Sequence, residues 1–142
     1  MKITADTNVL VRAAVADDPE QAKLAAEILR DAEIVAVTLP TLCEFIWVLA
    51  RGYGRSAGEL VEAVRRLADS TKVRVDRQAV SAGLAVLEAG GDFADGVIAF
   101  EGRKLGGLVF TSFDRKSVKL IAQTGSEAFL LQTRSDGEPE AD

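Results

Sequence analysis

The chain has 142 residues, 48% of them hydrophobic, enough for the core of one domain and too apolar for a disordered segment. It has one cysteine and no histidine, which excludes an internal disulfide, the histidine-dependent nucleophile systems and any zinc site that needs imidazole. Of the net charge of −5, the last ten residues supply −3, from one arginine against four acids, so the acidic total does not exclude a nucleic-acid substrate but argues against strong non-specific DNA binding by charge alone.

Lys2–Ala5 is a short strand candidate, and Asp6-Thr7-Asn8 is turn and N-cap chemistry leading into a helix over Val9–Ala14. An acid at position 6 comes too early for a signal-peptide apolar region. No later run reaches the roughly 18 to 20 apolar residues of a membrane span, so the chain reads as soluble and cytoplasmic. Asp17-Asp18-Pro19-Glu20 starts a second helix, with a stripe through Leu24, Ala25, Ile28 and Leu29 that ends near Asp31. Ile34–Val37 reads as a buried strand.

Between Ile34 and Ala50 the only charged residue is Glu44. Leu42, Phe45, Ile46 and Leu49 carry the spacing of a packed helix, and Cys43, Trp47 and Val48 leave little polar surface, so this helix is expected to be largely buried, with Trp47 in the core. Ser56–Ser70 is an ordinary amphipathic helix, Val73–Val75 a short strand, and Asp76–Ala89 a helix ending at Gly90-Gly91. Another helix follows over Ala94–Leu105, then the apolar strand Leu108–Thr111, a helix over Arg115–Gln123 and a strand over Glu127–Leu131. Strands alternating with helices predict an α/β sandwich around a mainly parallel sheet. One domain is expected over residues 1–132, followed by a mobile acidic tail over 133–142.

Five acids stand out by context. Asp6 and Asp114 each follow a strand, Asp92 and Asp95 open a helix three residues apart, and Glu44 sits inside the most apolar segment. Ligands of open α/β sheets bind beyond the carboxyl ends of the strands, where such turns gather. Each acid also has a plainer role: Asp6, Asp92 and Asp114 as N-caps, Asp95 as a first-turn acid, and Glu44 in a capping box with Thr41. Glu44 decides the balance, because a helix starting at Thr38 leaves it in the second turn, where a carboxylate must be solvated, paired or bound to a cation. Oxygen-only donors favour magnesium or manganese, and a metal-bound water supplies a nucleophile without histidine, which suits phosphodiester hydrolysis. Arg12 and Arg115, near these acids, are the candidate phosphate contacts. Gly52-Tyr53-Gly54-Arg55-Ser56-Ala57 fits a relaxed dinucleotide-binding pattern but follows a helix instead of a strand, and no phosphate loop is present.

Four segments in this order resemble the PIN-domain nucleases, particularly the VapC-type toxins of bacterial toxin–antitoxin pairs. They are Asp6-Thr7-Asn8-Val9-Leu10, Glu44 in its apolar helix, Gly91-Asp92-Phe93-Ala94-Asp95-Gly96-Val97-Ile98-Ala99, and Thr111-Ser112-Phe113-Asp114-Arg115-Lys116. The likeness runs over nearly all of Met1–Leu131 and implies a three-layer α/β/α sandwich. It also implies that Asp6, Glu44, Asp95 and Asp114 form an acidic metal site, with Asp92 as an additional acid and Thr7, Asn8 and Thr111 or Ser112 orienting the carboxylates or a water. Gly96 stands where the family commonly has alanine.

The resemblance further implies a magnesium-dependent endoribonuclease, with manganese as a possible substitute, acting on RNA. As partners it implies a second copy in a homodimer and a cognate VapB-type antitoxin in a heterotetramer or larger complex, the antitoxin presenting an arginine to the acids. A PIN-type nuclease of RNA maturation or DNA repair, and a non-catalytic binding module whose acids are only caps, are the alternatives.

Overall fold

The computed structural model describes residues 1–133; the acidic tail predicted over 133–142 lies, apart from Thr133, outside the described residues. The elements run β1 (Lys2–Thr4), α1 (Thr7–Ala14), α2 (Pro19–Asp31), β2 (Ile34–Ala36), α3 (Leu39–Tyr53) and α4 (Ala57–Asp69). They continue with β3 (Val73–Arg74), α5 (Arg77–Glu88), α6 (Phe93–Lys104), β4 (Val109–Ser112), α7 (Arg115–Gln123) and β5 (Glu127–Leu130). Every predicted helix and strand forms, with ends displaced by one to three residues, as fraying termini allow. No helix among the described residues is long and apolar enough to cross a membrane.

The same local device starts four of the helices. β1, β2, β3 and β4 each hand over to a helix whose N-cap is Asp6, Thr38, Asp76 or Asp114, and each cap's side-chain oxygen accepts a backbone N–H of the helix's first turn. An oxygen at that position satisfies a donor that the helix itself cannot, which is worth about 1 kcal/mol per cap. The sequence therefore lays side chains with oxygen donors at the carboxyl ends of successive strands for reasons of helix initiation alone.

All strand pairings are parallel, in two hydrogen-bonded groups: β1-β2-β3 with β2 in the middle, and β4 with β5. The expected parallel α/β architecture is present, but no ladder joins β1 to β4 among the described residues. The core divides in the same way. A large cluster built on Val35, Leu42, Phe45, Leu49, Val64 and Phe93 lies among β1–β3 and α1–α6, and a small one of Val86, Leu120 and Ile121 lies under β4, β5 and α7. Strands of two to four residues supply few ladder bonds, so helix packing joins the halves.

That packing is closest between α5 and α6. Phe93, wholly buried at 0% exposure, lies across Gly83, where an added Cβ would stand 2.6 Å from the ring. One turn further along α6, a Cβ on Gly96 would stand 2.3 Å from the Ala82 carbonyl oxygen and 2.8 Å from the Gly83 Cα. Gly96 is therefore more than a weak helix former in the place of alanine: its missing side chain lets the two backbones meet.

Helix α3 differs most from expectation. Thr38 caps it, so it starts early, and its buried face is Leu42, Phe45, Ile46 and Leu49. Glu44, Trp47 and Arg51 are exposed on the other side, with Trp47 at 62% exposure. The helix is amphipathic, and Trp47 is not a core residue. Apolar composition hid this, because an exposed tryptophan counts toward hydrophobicity just as a buried one does.

Gly96→Ala tests the α5–α6 contact. Alanine would gain about 1 kcal/mol of helix propensity, yet the methyl group meets backbone and not a side chain that could rotate away, so overpacking of about 1–3 kcal/mol is expected to win. Chemical denaturation should show a lower midpoint for the variant; an equal or higher midpoint would mean that the helices are free to separate.

Candidate active site

The acids are aimed by the helices that they cap. Asp6 ends the β1 turn and accepts the Thr7 amide at 2.8 Å. Thr7, buried at 7% exposure, also donates its hydroxyl to Glu44 Oε2 of α3 at 3.0 Å. Thr7 thus ties Asp6 and Glu44 to one residue. Glu44 is exposed and has a partner, so both solvent and a hydroxyl carry its charge, and the capping box with Thr41 does not form. Thr41 belongs to the Thr38 cap, donating its amide to the Thr38 hydroxyl at 3.4 Å.

The second group of acids lies at the N-termini of α6 and α7. Asp92 caps α6 by accepting from the Ala94 amide at 3.1 Å, and Asp114 caps α7 by accepting from the Ser117 amide at 3.1 Å. Asp95 stands between them, half-buried, and accepts the Ser117 hydroxyl at 2.6 Å. Burial pushes the Asp95 carboxyl above the usual carboxylate range; the Ser117 hydrogen bond opposes this, and the neighbouring charges of Asp92 and Asp114 add to it. Asp114 is held below the usual range, chiefly by the Ser117 amide. One serine thus supports two carboxylates through two different atoms.

Asp92, Asp95 and Asp114 line a cavity of about 580 Å³ whose other walls include Trp47 and Arg51 of α3, Ser112 at the end of β4, and Lys116 and Ser117 of α7. The start of α6 packs beside the turn of α3 that carries Glu44, and there burial, and after it the charge of Asp92, pushes the Cys43 thiol up. The sites meet there without merging. Asp6 and Glu44 do not line the cavity, and among the described residues no three acidic, cysteine or histidine side chains stand close enough to hold one ion between them.

A hard divalent cation fits this donor set by chemistry. Every candidate donor is a carboxylate or hydroxyl oxygen, and Asp95 carries the repulsion of two neighbouring charges that a cation would relieve. Magnesium keeps most of its water ligands and needs only one or two protein carboxylates, so a closed protein cage is not required of the site.

The remaining sequence candidates fall into place around these groups. Ser112 accepts the Asp114 amide at 3.0 Å and so shapes the turn that presents that acid. Thr111 is exposed and donates back to the Val109 carbonyl of its own strand, with no side-chain hydrogen bond to any of the acids. Asn8 is exposed on α1. Arg12 does not stand as a phosphate contact: its guanidinium is committed to Gln21 at 2.8 Å and Asp17 at 3.0 Å, in a clamp completed by the Tyr53 hydroxyl on Asp17 at 2.8 Å. Arg115 is exposed but does not line the cavity, where its neighbour Lys116 does. A reading of the residues alone missed Ser117, Lys116 and Arg51. Only Ser117 left a trace, as the third residue after an N-cap aspartate.

A second cavity of about 570 Å³ lies on the other side of α3, floored by Leu10, Phe45 and Leu49 and rimmed by Arg55, Glu59 and Arg66. None of the five acids lines it.

The Asp95–Ser117 contact makes a directional prediction. In metal-free protein, Ser117→Ala removes the one hydrogen bond that lowers the Asp95 carboxyl and keeps the amide that serves Asp114, so Asp95 should titrate at higher pH than in the wild type. The sign for stability follows: a carboxyl raised above 3.8 favours folding while protonated and loses that contribution as pH rises through its folded value, so the variant should lose more stability between acid and neutral pH. Loss of a hydrogen bond to a charged, half-buried group is worth about 1–2 kcal/mol at neutral pH. Carboxyl NMR titration and denaturation at two pH values check both, and an unmoved Asp95 titration would show that the hydroxyl does not support it.

Residues 3–122 match the PIN domain family over well over half of the chain. No curated protein matches the chain. PIN domains are generally nucleases that depend on a divalent metal, in keeping with carboxylates gathered at strand and helix ends and with an α/β fold of parallel strands. The chain belongs to the PIN domain family.

Proposed function

We propose that this PIN domain is a metal-dependent endoribonuclease that hydrolyses RNA phosphodiester bonds at the cavity lined by Asp92, Asp95 and Asp114, and that it is the toxin of a type II toxin–antitoxin pair. The observation that carries the nuclease reading is the Asp95 carboxylate, half-buried, oriented by Ser117 and pressed by two neighbouring charges within one cavity. The toxin role is supported by the likeness of the four acid-bearing segments to VapC-type toxins.

Asp95, with water and one of its neighbours Asp92 or Asp114, would hold magnesium or manganese, with Asp6 and Glu44 as the further acids nearby. When bound, such an ion neutralises phosphate oxygens and lowers the pKa of a water. The protein's own contribution is positional and electrostatic. Ser117 fixes the Asp95 carboxylate, and Thr7 fixes Asp6 relative to Glu44. The N-termini of α6 and α7 bring partial positive charge to the cavity, which favours a phosphate there, and Lys116 and Arg51 add full charges. Phosphate binding by fixed dipoles and cations requires no reorganisation as charge develops, which is the usual origin of large rate effects.

As partners we propose a VapB-type antitoxin that places a cationic side chain among these acids, and a second copy of the chain. The antitoxin would then suppress activity by occupying the positions that the metal and phosphate need.

Purified, antitoxin-free protein should cut a mixed RNA pool with magnesium or manganese, and EDTA should stop it. Asp95→Asn should lower the rate by at least the roughly 10- to 100-fold that loss of a group supporting a metal ligand costs, and Asp6→Asn should also lower it. Expression in a bacterial host should arrest growth, with the arrest absent in Asp95→Asn. Metal-dependent cutting without arrest would favour a nuclease of RNA maturation or DNA repair. Folded protein that cuts neither RNA nor single-stranded DNA would leave the acids as helix caps of a binding module.

A further inference from the structure

The exposed side of α3 carries Glu44, Trp47 and Arg51, spaced three and four residues apart and therefore on one face of the helix. Seven residues at about 1.5 Å rise place Arg51 about 10 Å along the axis from Glu44, with the indole between them. Trp47 and Arg51 also line the cavity of Asp92, Asp95 and Asp114. An indole that leaves 62% of its surface in water, when the rest of its helix buries four apolar side chains, gains little for stability from its place. The Arg51 side chain is exposed and makes no hydrogen bond or ion pair to another of the described residues, whereas Arg55, Arg65 and Arg66 each pair with an acid.

We propose that Trp47 and Arg51 form a nucleotide subsite beside the acids: the indole stacks an unpaired base next to the scissile phosphodiester, the guanidinium binds an adjacent phosphate, and the substrate is thereby restricted to single-stranded RNA. This rests on the nuclease reading of the acidic cavity. The alternative use of an exposed tryptophan is as an anchor for a protein partner, but such anchors sit at the centre of apolar patches. Trp47 has Glu44 on one side along the helix and Arg51 on the other. One flat apolar ring between charges suits a ligand that alternates flat bases with phosphates. A base stacked inside a duplex offers no free face to an indole that lines a cavity, so stacking selects for unpaired strands.

Trp47 is the only tryptophan in the chain, so intrinsic emission reports this residue alone. The experiment uses the full-length Asp95→Asn protein, which keeps the subsite and should not consume the probe, with a short mixed-sequence single-stranded RNA. Saturable quenching of the emission is expected with the single strand and not with the same sequence as a duplex. By anisotropy of labelled RNA, Trp47→Ala should weaken binding about ten-fold or more, and Trp47→Phe, which keeps a ring, should recover most of that loss. Arg51→Ala should reduce the slope of log affinity against log salt by about 0.7, the value of one phosphate contact on a single strand, while Arg51→Lys keeps it.

Equal binding of duplex and single strand, or unchanged binding by Trp47→Ala, would overturn the subsite. So would a Trp47→Ala protein that loses its self-association or its antitoxin but still binds RNA as the parent does, since the indole would then be a protein anchor. Failure of the subsite and failure of the nuclease reading are distinguishable: the first leaves metal-dependent cutting by the wild type intact, and the second abolishes cutting while quenching is measured independently of it.

Discussion

The contact of Phe93 and Gly96 with the backbone of α5 is the constraint on which the rest of the site depends. With the ring wholly buried across Gly83 and the α6 backbone against the Ala82 carbonyl, the first turn of α6 has no freedom to roll or slide. Asp92 and Asp95 flank Phe93 by one and two positions, so their direction is set by a core contact and not by anything they do themselves. Burying a phenylalanine is worth about 1.5–3 kcal/mol, whereas crowding three carboxylates opposes folding. The packing term is what makes the crowding affordable.

Capping and chemistry are carried by the same atoms here. An aspartate chosen to accept the free N–H groups of a helix start is also held at the positive end of that helix, where its ionised form is favoured. Asp114 shows this directly, its carboxyl held down by the Ser117 amide. Asp95 is the exception. It is a first-turn acid and not a cap, it is partly desolvated, and its proton is held more tightly. Among capping carboxylates the site thus contains one first-turn acid whose charge calls for compensation, and that is where a cation or a phosphate-neutralising group does most. Asp76 makes the contrast: it caps α5 in the same way, but Lys104 neutralises it at 3.3 Å, and it takes no part in the cavity.

The two groups of acids follow the division of the sheet. Asp6 and Glu44 belong to the half built on β1–β3, Asp114 to the half built on β4 and β5, and α6 carries Asp92 and Asp95 across between them. Helix packing and not strand pairing sets the distance between the groups, which couples the geometry of the acids to α3–α6 and α5–α6 contacts. The Arg12, Asp17, Gln21 and Tyr53 clamp serves the same end at the far end of α1, fixing α1 and α2 against α3 so that Thr7 meets Glu44.

By itself the sequence determined the order and type of the described elements, the parallel α/β class and the caps Asp6, Asp92 and Asp114, because local spacing and capping chemistry act within a few residues. Only the tertiary structure decided how those acids group. Whether Glu44 finds Thr7 and Asp95 finds Ser117 depends on residues 37 and 22 positions away, which no local pattern encodes. The same holds for the faces of α3: periodicity placed Leu42, Phe45, Ile46 and Leu49 inside, but composition put Trp47 with them until packing left it in water. Arg12 is taken up by Gln21 and Asp17, and Lys116 rather than Arg115 lines the cavity, for an equally plain reason. Long side chains take the partners that packing brings to them, and the clamp on Arg12 is closed by Tyr53, 36 positions from the Asp17 to which it donates.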